Sequence, residues 1–216
     1  MKKVLILMFC LLQGMSYAQN VVFSYENLNN IVIDSSYISA FDNGKFDNIL
    51  NHTLYKDYTV MSKVGTKYTI RCYKNMGWED EPGDWHYLEI LNNGKVIFSE
   101  DYADGWIFLS DVITSSLTPV TSAFLKFDLD DDVVLLLFEG ITIMSQPPYL
   151  TGIVLYNGKA TLVYNKVGHI EKVLQSTFGT VFTIRENTVE YDANNNPFYE
   201  PIIRILTINN GMMYYE

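Results

Sequence analysis

The sequence predicts an all-β fold of antiparallel four-stranded meanders, and three observations carry that expectation. Val, Ile, Thr, Tyr and Phe dominate its short patterned runs, with Asn, Asp and Gly between them. Asn-Gly dipeptides at 43–44, 93–94, 157–158 and 210–211 each sit between two such runs. Asn-Gly tolerates the positive φ angles of a tight hairpin, so each marks a turn between paired strands. Finally, one layout recurs along the chain: strand, tight turn, strand, long loop, then the Asn-Gly hairpin.

Three segments follow this layout in full. The first, 58–101, turns near Gly65; the second, 123–166, turns at Asp130-Asp131-Asp132; the third, 172–216, turns near Gly179. The distance from first turn to hairpin glycine is similar in all three (Gly65 to Gly94, Asp131 to Gly158, Gly179 to Gly211). Residues 21–50 read as a fourth, abbreviated unit, with a turn near Asn29-Asn30. Its hairpin at Asn43-Gly44 lies between the runs Tyr37–Phe41 and Phe46–Leu50. A unit of this length matches a propeller blade, and four such sheets around an axis would make a small β-propeller. A β-sandwich or barrel built from the same meanders is the alternative.

The first residues have a different character. Lys2 and Lys3 precede an apolar run from Val4 to Leu12, and Ser16-Tyr17-Ala18 puts small residues where a signal peptidase reads. This predicts a leader over 1–18 and a domain over 19–216, exported to the periplasm, the outer surface or the medium. The apolar run is about half the length of a membrane-spanning helix, and no later run approaches that length. Cys10 is preceded by Met8 and Phe9 rather than small residues, so it reads as part of the apolar run, not as a lipid attachment site. Beyond the leader only Cys72 remains, which excludes an intramolecular disulfide; its place in the run Tyr68–Tyr73 predicts a buried thiol. The formal charge of −10 argues against a nucleic-acid partner, because an acidic surface repels phosphate.

Motifs for common chemistry are missing from the chain. There is no Gly-x-Ser-x-Gly elbow, no His-Glu-x-x-His, no Cys-x-x-Cys and no phosphate-cradling glycine loop; His52, His86 and His169 show no paired ligand spacing. The richest segment is Gly77–His86, where Trp78 and Trp85 flank Glu79, Asp80, Glu81 and Asp84. Its indoles would either stack on a sugar ring or pack onto the sheet, as Trp more often does. Pro147-Pro148-Tyr149 and Asn194–Tyr199 occupy equivalent long loops, between the second and third strands of their units. If the units are blades around one axis, all three loops emerge on one face, where repeat folds usually bind. The expected surface comprises Trp78, Trp85, His86, Tyr149, Phe198 and Tyr199.

At the second unit, Phe127–Leu137 followed by Val154-Leu155-Tyr156-Asn157-Gly158 resembles an FG-GAP or VCBS-type propeller repeat. That family carries an aspartate-rich turn before an apolar strand, and its calcium-binding members alternate carboxylates there. The resemblance implies a Ca²⁺ candidate at Asp128, Asp130 and Asp132, which can direct oxygen ligands at one hard cation. The family's next glycine is Val133 here, Leu136 stands where a late acid is expected, and the turns near Gly65 and Gly179 carry no acid cluster. A solvated hairpin turn is the competing reading.

Together these features predict a bacterial-type envelope or secreted protein that binds a protein or glycan partner through its loop face, without catalysis. A small glycan-active hydrolase using acids of the 79–84 loop is the alternative.

Overall fold

A computed structural model of the chain describes residues 20–27, 30–40, 52–75, 82–109, 122–141, 148–176, 179–187, 194 and 200–216. Among them, β1 (Asn20–Asn27) and β2 (Asn30–Ile33) form a hairpin followed by a short 3-10 turn, Ser35–Tyr37. Three meanders follow. The first sheet holds β3 (His52–Met61), β4 (Lys67–Asn75), β5 (Trp85–Asn92) and β6 (Lys95–Trp106). The middle sheet holds β7 (Leu125–Asp130), β8 (Val133–Glu139), β9 (Tyr149–Tyr156) and β10 (Lys159–Val167). The third holds β11 (His169–Ser176), β12 (Gly179–Arg185), β13 (Ile203–Asn209) and β14 (Met212–Tyr215), and β1 and β2 extend it beyond β14.

Among the described residues the architecture is therefore all-β, with antiparallel pairing throughout the sheets and no sheet closed into a barrel. No helix among the described residues is long and apolar enough to cross a membrane. The hairpin chemistry is as the sequence predicts. Asn93, Asn157 and Asn210 adopt φ of 50°, 50° and 47°, and the glycines after them 76°, 71° and 74°. Those left-handed pairs give the tight turns that match the twist of the flanking strands.

The described strands of the abbreviated first unit, β1 and β2, belong to the third sheet. β1 pairs with the free edge of β14 from Asn20 opposite Tyr215 to Ser24 opposite Met212, which makes the third sheet six-stranded. The described residues thus form three sheets, where four were expected. The expected strand at Tyr37–Phe41 also differs: Asp34 caps a 3-10 turn by accepting Ser36 N–H at 2.9 Å, and only Ile38 then bridges to Asn165. An Asp side chain that bonds the backbone two residues on favours a turn over an extended strand. The Asn43-Gly44 hairpin lies outside the described residues.

What holds the sheets together is the middle one, which is covered on both faces. Every residue of β8, Val-Val-Leu-Leu-Leu-Phe-Glu, is buried. Because side chains alternate along a strand, Val133, Leu135 and Leu137 face the third sheet, against Phe182, Leu206 and Met213. Val134, Leu136 and Phe138 face the first sheet, against Ile70, Leu88 and Trp106. Full burial of each such side chain contributes about 1.5–3 kcal/mol. At one end of the stack the tight turns interlock. Ser62 Oγ donates to Asp132 at 2.7 Å, Val64 N–H to Asp131 O at 3.1 Å, and Gly158 N–H to the Tyr68 hydroxyl at 3.0 Å.

Two-sided burial has a direct test in urea denaturation. Leu135→Ala and Leu136→Ala, neighbours on opposite faces, should each lower stability by about 2–5 kcal/mol. Thr53→Ala and Thr59→Ala, on the exposed strand β3, should stay within about 0.5 kcal/mol of the parent. A large loss at only one of the two leucines would contradict the middle-layer position.

Candidate functional site

The long connections β4–β5, β8–β9 and β12–β13 leave their sheets at the end opposite the tight turns, and hydrogen bonds tie their roots together. Asp84 N–H donates to Trp106 O at 2.8 Å, and the Asp84 carboxylate accepts Phe108 N–H at 2.7 Å. Trp106 forms an antiparallel bridge with Gly140, and Ile107 N–H donates to Glu139 O at 2.9 Å. Gly140 N–H donates to Tyr149 O at 2.8 Å, and Gly168 N–H to Pro148 O at 2.7 Å. Glu139 then reaches the third sheet: its Oε1 accepts Ile170 N–H at 3.0 Å and lies 2.7 Å from His169 Nδ1. His169 pairs across strands with Arg185, the last residue of β12, beyond which Asn187 Oδ1 accepts Ile202 N–H at 2.7 Å. All three long loops are thus rooted at one end of the stack.

The structure sorts the residues the sequence singled out. Trp85 is fully buried, stacked on Trp106 with centroids 4.6 Å apart, and set edge-on to Phe138 at 5.8 Å. The indole is core, not a surface platform. Tyr149, partly buried, meets Tyr102 edge-on at 6.0 Å, and Tyr102 meets Trp106 at 5.4 Å, so one aromatic array joins the roots of the first two loops. His86 is 2% exposed, and its Nε2 donates to Pro82 O at 2.6 Å; burial holds its pKa below the ordinary value, against the pull of that bond. A bulge between Trp85 and Tyr87 explains the arrangement. Register slips at His86, so Trp85 and Leu88, three residues apart, share the inward face. Asp84 Oδ2 is engaged by the backbone N–H of Phe108. Trp78, Glu79, Glu81, Phe198 and Tyr199 lie outside the described residues.

Asp128, Asp130 and Asp132 alternate as predicted but have separate partners. Asp128 takes the Lys126 ammonium at 2.6 Å, Asp130 accepts Asp131 N–H at 2.8 Å, and Asp132 accepts the Ser62 hydroxyl. Among the described residues no group of three or more His, Cys, Asp or Glu side chains is placed to hold a metal ion. Cys72 is buried as expected, and burial pushes its thiol up to about 12.

Sequence patterning missed two polar groups at the loop-bearing end. On the outer face of the first sheet, Glu89 accepts the Tyr73 hydroxyl at 2.6 Å and the Tyr87 hydroxyl at 3.4 Å, with Arg71 at 3.8 Å. The His52 ring stacks on Tyr87 at 5.4 Å, and burial raises the Asp101 carboxyl despite the opposing pull of His52 and His86. Strand alternation predicts that Tyr73, Tyr87 and Asp101 share a face, because they pair across β4, β5 and β6. The second group is the carboxylate of Glu139 with the imidazole of His169, which no spacing in the sequence connects.

No protein-family model, curated protein or solved structure matches this chain.

Two measurements check the placement of these side chains. Trp85→Ala should destabilise the domain by about 3–5 kcal/mol in denaturant titration, as expected for an indole removed from a core. Cys72 should resist a disulfide-exchange reagent at pH 8 in the native protein and react fully on unfolding, since only the thiolate attacks. Rapid native labelling would contradict the burial of β4.

Proposed function

We propose that this chain is an exported, non-enzymatic binding module whose ligand, a glycan or a protein, is held by the loop-bearing end. The observation that carries the reading is the common rooting of the three long loops through Asp84–Trp106, Trp106–Gly140, Ile107–Glu139 and Glu139–His169. Connections on one end of a stack of sheets can vary in sequence while the strands beneath hold them in register, which is how repeat scaffolds compose a binding surface. Aromatic residues concentrated in those loops suit such a surface, because an indole or phenol offers large contact area with few rotatable bonds. The basic and apolar run over residues 1–12, with the small residues at 16 and 18, supports export.

Burial of Trp85 redirects the mutational test to the other aromatic residues of the long loops. A Trp78→Ala, Phe198→Ala, Tyr199→Ala triple variant should lose retention on glycan and extracellular-protein arrays while keeping the parental melting temperature. Lys95→Ala, at the opposite end, should bind as the parent does. Retention that survives the triple change, or disappears with Lys95→Ala, would move the binding surface elsewhere.

A further inference from the structure

We propose that His169 is a ligand-contacting residue of the loop-bearing end, held by Glu139 so that its Nε2 lone pair faces the ligand as a hydrogen-bond acceptor. The inference rests on the proposed binding function and adds to it a specific atom and a chemistry: the ligand group met there carries an O–H or N–H donor, as the hydroxyls of a glycan do.

The argument begins at Glu139, the last residue of β8, whose side chain is 2% exposed. A buried carboxylate persists only where hydrogen bonds replace its water. Its Oε1 accepts Ile170 N–H at 3.0 Å, so that oxygen is an acceptor, and the atom facing it at 2.7 Å, His169 Nδ1, is the donor. A neutral imidazole has one N–H and one lone pair. With the proton fixed on Nδ1, the lone pair is on Nε2. Carboxylates that hold one imidazole nitrogen fix the ring's tautomer and orientation in this way.

Exposure separates His169 from the other two histidines. Its side chain is 38% exposed. Both ring nitrogens of His52 are closed off from solvent, and His86 donates through Nε2 to Pro82 O. The charged neighbours of His169 are engaged with one another: Arg185, opposite it on β12, binds Glu171 at 2.7 Å through Nε. Location completes the case. His169 follows Gly168, which donates to Pro148 beside the second long loop, and it pairs with Arg185 at the root of the third. His169 is therefore flanked by the roots of the second and third long loops.

Three measurements on the full chain decide it. Long-range ¹⁵N–¹H correlation spectra at pH 8 should show His169 protonated on Nδ1 and bare on Nε2; the opposite tautomer, the commoner one in free histidine, would overturn the proposal. Diethyl pyrocarbonate should acylate His169 well before His52 and His86, and protection of His169 would also overturn it. On whichever array ligand the parent retains, His169→Gln should weaken binding about tenfold, the loss of one hydrogen bond. Its melting temperature should match the parent's, and unchanged affinity would remove the ligand contact. A parent chain that retains nothing on any array sinks the binding function instead, and the tautomer and the labelling order then decide the state of His169.

Discussion

Double-sided burial of the middle sheet is the constraint from which the rest of the structure follows. A sheet with apolar residues on both faces needs a partner sheet on each, and the first and third meanders supply them through alternate residues of β8 and β9. The outer sheets bury one face, so their strands alternate, as in β12, where each buried residue is followed by a half-buried one. The third sheet satisfies a further need by accepting β1 along β14, which pairs an edge that would otherwise present bare backbone groups.

The loop-bearing end depends on this stacking and on the polar bonds threaded through it. Trp106 Nε1 donates to Thr151 Oγ1 at 3.4 Å, Thr151 donates to Asn165 at 3.0 Å, and Asn165 Nδ2 donates to Ser39 O at 2.9 Å. Thr151 and Asn165 are fully buried, so this thread joins the first sheet, the middle sheet and the segment after β2 with its polar groups paired. Glu139, in the middle sheet, joins the first sheet through Ile107 and the third through Ile170 and His169. Directional bonds of this kind contribute modestly to net stability and strongly to which sheet sits where, because a misplaced layer would strand buried donors and acceptors.

Much of the fold was legible in the chain, for local reasons. The Asn-Gly turns declare themselves because few residues accept positive φ, and three of them close hairpins where the spacing places them. The run Val133–Phe138 reads as a strand from its β-branched and apolar content, and Cys72 as a core thiol from the strand around it. The site was less legible. Trp85 looks like a loop residue in sequence, yet a register shift between Trp85 and Tyr87 turned its indole into the core. Tyr37 looked like a strand residue until Asp34 bonded Ser36 and bent the backbone.

By itself, then, the sequence determined the strand content, the hairpin turns and the order of the three meanders, because each follows from the conformational preferences of adjacent residues. Tertiary structure decided that the first hairpin belongs to the last sheet, that the middle sheet is covered twice, and that three loops distant in the chain share one end. It also brought Glu139 to His169. Those outcomes depend on pairings between residues far apart in sequence, where complementary surfaces and the need to satisfy buried backbone and carboxylate groups select the partner, and no local pattern records the choice.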